Sequence, residues 1–136
     1  MTPDAGPDPR GEPAVAAPEL RAVGGIAVAT PKGRLMGGPE TDAFEAAVRG
    51  LLERGNRCLV VDLSAVEFMN SIGTGRLIAL QVAYKDRGGL MRLAALNERL
   101  RYLFAQLSIW PLVFEVHETV DEAMAGFAGR RCPESG

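Results

Sequence analysis

The chain has 136 residues, 47% hydrophobic and 24% charged, with a formal net charge of −2. That is the make-up of one ordinary globular domain, long enough for a core that needs neither metal nor disulfide. Interleaved acidic and basic residues leave no basic face for nucleic acid. No apolar run approaches the roughly 20 residues of a membrane span. The first residues lack the basic-then-apolar order of a signal peptide, so a cytoplasmic protein is expected. Cys58 opens a predicted buried strand and Cys132 lies in a polar terminal stretch. They are expected to remain unpaired, as suits a reducing compartment.

In chain order, residues 1–18 carry Pro3, Pro7, Pro9, Pro13 and Pro18 among Asp, Gly and Ala. Such a segment buries too little apolar surface to offset its ordering entropy and is expected to be a disordered tail. The folded domain is expected over residues 19–128, with a flexible C-terminal tail over 129–136. Leu20 to Val23 and Ile26 to Thr30 are short apolar segments joined by Gly24-Gly25, the linker of a hairpin. Pro31, Gly33, Gly37, Gly38 and Pro39 then interrupt regular structure. Phe44, Ala47, Val48, Leu51 and Leu52 form one apolar helical face starting near Thr41 and closing at Gly55.

Cys58 to Leu63 is too continuously apolar for a strand with a wet face and predicts a central strand covered on both sides. A second helix is expected from about Ile72 to Asp86, ending at Gly88-Gly89. A strand follows from Leu90 to Leu96. Asn97 is a good cap for a helix faced by Leu100, Leu103, Phe104 and Leu107. The last strand is expected from Leu112 to Val116. Thr119 and Glu122 then form a capping box before a helix with Val120, Ala123, Met124 and Phe127 inward. The order is β-β-α-β-α-β-α-β-α, an α/β domain whose mixed sheet has parallel strands and one antiparallel strand from the opening hairpin.

Chemistry-bearing patterns are few. Gly33 to Gly38 lacks the Lys-Ser/Thr ending of a phosphate loop. His117 has no second ligand at zinc-like spacing. Trp110, between Ile109 and Pro111, reads as an anchor at the edge of the core. No nucleophile, base and orienting acid come together, so neither an enzyme nor a cofactor is expected. One corner stands out: Asn70 and Ser71 lie where strand gives way to helix. A hydroxyl there is either a helix cap or a phosphate acceptor beside unpaired N–H groups that favour anions. The helix that follows is apolar all round. Leu77, Ile78 and Tyr84 share one side; Ile72, Ala79 and Ala83 share the other. It is either a central helix or one with a docking face, and the docking face is the expectation adopted.

Val61-Asp62-Leu63-Ser64-Ala65-Val66-Glu67-Phe68-Met69-Asn70-Ser71-Ile72-Gly73-Thr74-Gly75 resembles the signature of the STAS domain. That family includes bacterial anti-sigma-factor antagonists and the cytoplasmic ends of sulfate transporters. Gly33 with Leu35, Gly88-Gly89 and Thr119 with Glu122-Ala123 support the resemblance over residues 19–128. It implies an antagonist that binds an anti-sigma factor of the serine-kinase type and is switched off by phosphorylation of Ser71. The partner-binding residues it implies are Asn70, Ser71, Ile72, Thr74, Arg76, Ala79 and Ala83, with Thr74 a weaker acceptor than Ser71. The alternatives are a soluble subunit of a lipid-transport ATPase complex and a scaffold protein of a stress-signalling assembly. Asn70 departs from the family's usual Asp, Ile72 from a small or hydroxylated residue, and Leu35-Met36-Gly37-Gly38 from a segment that usually carries an acid.

Overall fold

A run as apolar as Cys58-Leu59-Val60-Val61 has no side to show to water, and all four residues are fully buried. The computed structural model, which describes residues 17–107, 113–130 and 132, makes this run strand β4 (Cys58–Asp62) at the centre of a five-stranded sheet. β1 (Glu19–Val23) and β2 (Ile26–Thr30) form the expected hairpin across Gly24-Gly25, with Val23 opposite Ile26. β6 (Leu90–Ala94) and β7 (Glu115–His117) complete the order β1-β2-β4-β6-β7. Every pair except β1–β2 is parallel. Parallel neighbours need a crossover. Helices α1 (Pro39–Glu53), α2 (Ser71–Asp86) and α3 (Glu98–Leu107) supply them.

Alternation along the strands divides the core. Ala27, Ala29, Leu59, Val61, Met91 and Leu93 face α1, α2 and α3. Val28, Cys58, Val60 and Ala94 point the other way, where α4 (Val120–Ala125) and the turn after it bring Ala123 and Phe127. α1 closes as its sequence predicts. Gly55 takes φ +103°, its N–H reaches the Leu52 carbonyl, and the Asn56 N–H reaches Leu51, the paired bonds of a glycine-terminated helix. The helix begins at Pro39 rather than near Thr41, because proline at the first position is pre-set for a helix. The Thr41 hydroxyl instead accepts from the Gly37 N–H at 2.9 Å. Asn97 caps α3 through Leu100 N–H at 2.8 Å. Thr119 caps α4 through Glu122 N–H at 3.1 Å, while the Glu122 carboxylate accepts from Glu118 N–H rather than from Thr119.

The sequence expectations need three corrections. Two short strands interrupt the expected order: β3 (Gly33–Leu35) and β5 (Val66–Met69) pair in parallel as a separate two-stranded sheet. Strands of three and four residues carry too little alternation to announce themselves. β7 starts at Glu115, with Val113 helical; Leu112, Ile109, Trp110 and Pro111 lie outside the described residues. The 1–18 tail falls outside them up to residue 16. Finally, Cys58 and Cys132 are not separate. They are joined by a disulfide with Cα atoms 5.6 Å apart, because the chain after α4 returns beneath β4. No helix among the described residues is long and apolar enough to cross a membrane.

The ends of α1 and α2 are locked by a buried pair. Tyr84 has no exposed surface, and its hydroxyl donates to Asn56 Oδ1 at 2.7 Å. Asn56 Nδ2 donates to the Cys58 carbonyl at 3.2 Å and to Gly25 at 3.4 Å. Burial pushes the Tyr84 phenol well above its ordinary value, against a smaller downward pull from Arg57. A raised value means that the folded state holds this proton more tightly than the unfolded chain. The associated stability is therefore complete below the unfolded value of about 10 and declines above it, by up to ~1.4 kcal/mol per pH unit. Denaturant titrations between pH 9 and 11 are expected to show this slope in the wild type. Tyr84→Phe is expected to remove it, while costing about 1–3 kcal/mol at neutral pH because Asn56 Oδ1 loses its donor.

Candidate functional site at the start of the second helix

β3 and β5 run side by side into one corner. β5 ends at Met69 and passes through Asn70 into α2; β3 ends at Leu35 and passes through Met36-Gly37-Gly38 into α1. Asn70 holds the two together. Its backbone is extended, its Oδ1 accepts from Gly73 N–H at 3.0 Å, and its Nδ2 donates to the Met36 carbonyl at 3.3 Å. The Asn70 N–H also reaches the Leu35 carbonyl at 3.4 Å. A carboxylate at this position could serve as the cap, but it could not donate to Met36. The amide therefore ties the β3–α1 loop to the helix start.

Asn70 thus takes the capping role, and Ser71 is the first residue of α2 instead of its cap. Ser71 is exposed, and its hydroxyl makes no hydrogen bond among the described residues. The first turn of α2 carries no acidic residue, so the partial positive charge of its N-terminus is not answered by a carboxylate of its own. Ile72 is 54% exposed, and a Cβ on Gly37 would stand 2.9 Å from its Cγ2. Met36 (38% exposed) lies on the same loop.

Between Ser71 and Lys85 the exposed positions of α2 are Ile72, Gly75, Ala79 and Val82, the last 51% exposed. Their spacing of three, four and three residues keeps them on one face. Arg76, half-buried beside this face, donates to Asp42 Oδ1 at 3.0 Å and Glu45 Oε1 at 2.8 Å. The Asp42 hydrogen bond is the largest influence and raises the Arg76 pKa; desolvation, next in size, opposes it, and the charge and hydrogen bond of Glu45 add to the rise. The arginine is thereby engaged with α1.

Of the residues expected to meet a partner, Ser71, Ile72 and Ala79 are exposed, while Asn70, Arg76 and Ala83 are half-buried. Thr74 is corrected. At 4% exposure it lies inside the first turn, its hydroxyl donating to the Asn70 carbonyl at 3.0 Å, so it offers no contact surface and no accessible hydroxyl. Ser64 N–H bonds back to Asp62 Oδ1 at 3.0 Å in the turn after β4. Met36, Gly75 and Val82 were not anticipated as parts of the exposed surface. Val82 and Gly75 could have been found by extending the Ile72–Ala79 face along the helical repeat; Met36 joins it only through the fold. His117 stands 3.1 Å from Arg92 Nη1 and 3.8 Å from Glu115 Oε1, away from this corner.

A family model described as the STAS domain matches residues 17–123. Among solved structures, a proposed anti-sigma factor antagonist from Thermotoga maritima superposes with a TM-score of 0.72 at 21% identity, over 79% of this chain and 92% of its own. An anti-sigma factor antagonist from Mycobacterium paratuberculosis gives 0.70 at 24% identity, over 81% and 92%. A sulfate transporter family protein from Wolinella succinogenes gives 0.62 at 16% identity, over 77% and 88%. At these identities the likeness is one of fold. No curated protein sequence matches the chain.

Proposed function

Because the chain belongs to the STAS domain family, we propose that it is an anti-sigma-factor antagonist, a cytoplasmic binding module switched by phosphorylation of Ser71. Unphosphorylated, it docks an anti-sigma factor of the serine-kinase type with the α2 corner, and so frees a sigma factor. The observation that carries this reading is that Ser71 is exposed and relieved of the cap by Asn70. Its hydroxyl is free for modification at no cost to the fold. It also adjoins the exposed, apolar Ile72.

The switch follows from charge. A phosphoserine brings about −1.5 to −2 charges. At a helix start free of carboxylates, that charge is tolerated within its own domain. Against a docked apolar or acidic surface it meets desolvation and repulsion. Binding is lost and the fold is kept.

The test is phosphate on Ser71 by mass spectrometry in protein from its native cells, with two variants titrated against the co-purifying partner. Ser71→Ala is expected to bind like the wild type and to stay within about 0.5 kcal/mol of its stability, the usual range for an exposed position. Ser71→Glu is expected to fold but to bind at least about tenfold more weakly, which takes only about 1.4 kcal/mol. Equal affinities for the two variants, with no phosphate under any growth condition, would replace this reading by that of a subunit in a membrane transport complex.

A further inference from the structure

The sheet face away from α2 is thinly covered. α4 has six residues, and beyond it the chain turns through Phe127 and returns to Cys132. Phe127 is buried under the Arg92 guanidinium, 4.8 Å from its ring centre. Arg130 Nη2 reaches the Gly88 carbonyl at 3.3 Å on the surface. The main chain of Cys132 rests on Gly25 so closely that a Cβ there would overlap the Cys132 carbonyl. The disulfide to Cys58 is the covalent hold on this strap, and it spans 74 residues of chain.

We propose that Cys58 and Cys132 form a reversible dithiol–disulfide site that latches the C-terminal strap over the hairpin end of the sheet. The two sulfurs differ in access: Cys58 is fully buried in β4, whereas Cys132 is half-buried. Attack therefore falls on Cys132 Sγ. A thiolate of a dithiol reductant bonds to it, the Cys58–Cys132 bond breaks, and Cys58 leaves as a thiolate that takes a proton. The reductant's second thiol, as thiolate, then displaces Cys132, which also takes a proton, and the reductant departs as a disulfide. Two electrons and two protons pass to the protein, and an oxidised dithiol reverses both steps. In a dithiol-rich compartment a disulfide of this kind is characteristically transient and redox-sensing. Once reduced, the strap keeps its anchor at Phe127 and loses the one beside Gly25. The site lies across the sheet from Ser71, so it does not depend on the reading of that corner.

The experiment is dithiothreitol treatment of the full chain without denaturant, followed by timed alkylation, mass spectrometry and hydrogen exchange. Untreated protein is expected to take up no alkylating reagent. After reduction the far-UV spectrum stays native and Cys132 alkylates at least about tenfold faster than buried Cys58, since reactivity follows access and thiolate fraction. Exchange rises in the Gly24–Ile26 turn but not in α2. Cys132→Ser, which cannot latch, is expected to show that raised exchange without reductant, and oxidised dithiol is expected to restore protection only in the wild type. Reduction that proceeds only in denaturant would overturn the proposal and make the disulfide a permanent staple. Equal alkylation of both cysteines, or an unchanged Gly24–Ile26 turn in reduced protein and in Cys132→Ser, would overturn it as well.

Discussion

Gln81→Met is expected to lower the unfolding free energy by about 3 kcal/mol or more, because it leaves buried backbone groups without partners. Gln81 lies on α2 but completes the sheet. Its Nε2 donates to the Met91 and Val113 carbonyls, both at 2.9 Å, and its Oε1 accepts from Met91 N–H at 2.9 Å. β7 begins opposite Arg92, so the outward peptide groups of Met91 lie where no neighbouring strand has yet started. The side-chain amide stands in for that missing peptide unit. Methionine matches glutamine in length and offers neither donor nor acceptor, so packing is kept while the three bonds go. Gln81→Glu separates the contributions: a carboxylate still accepts from Met91 N–H but faces two carbonyls it cannot serve. Its proton would be held more tightly in the folded state than at the unfolded value of about 4.3. The deficit relative to wild type should therefore shrink as pH falls toward that value and be largest at neutral pH. Denaturant midpoints measured across pH report both effects; a Gln81→Met variant as stable as the wild type would remove the amide from this role.

Gln81 also marks the limit of what the sequence discloses. A helical repeat needs only local spacing, so α1, α3 and the inner side of α2 were legible from Phe44, Leu100 and Leu77 and their neighbours. The continuous apolar run of β4 placed it at the sheet centre. A polar residue inside an otherwise apolar helix gives no sign that it serves another element ten residues away. β3 and β5 pair across more than thirty residues, and neither is long enough to show alternation. Asn70 and Ser71 are both competent caps, and only the backbone course decides that Asn70 turns toward Met36 and Gly73 while Ser71 faces solvent. Chemistry alone cannot pair Cys58 with Cys132, since two cysteines 74 residues apart meet or do not meet according to the path of everything between them.

Gly73→Ala is expected to be the most damaging single methyl in the corner, lowering stability by about 3 kcal/mol or more through overpacking against backbone. A Cβ on Gly73 would overlap the Leu35 carbonyl oxygen and stand 2.9 Å from Met69 Cγ. The Met69 side chain can shift, but the Leu35 carbonyl belongs to β3 and already accepts from Asn70 N–H. Relief therefore requires α2 and β3 to separate, which also pulls Met36 from the Asn70 amide and unsettles the loop beside Ser71. Gly75 is the matched control: two residues along the same helix, exposed, with nothing within 4 Å of its added Cβ. Gly75→Ala should stabilise the protein by roughly 0.5–1 kcal/mol, the ordinary gain of alanine over glycine inside a helix. The two variants add the same methyl to the same turn with opposite signs, and thermal melts resolve the difference. If Gly73→Ala melts with the wild type, then β3 does not hold the helix start, and the alignment of Met36, Ser71 and Ile72 must come from α1 alone.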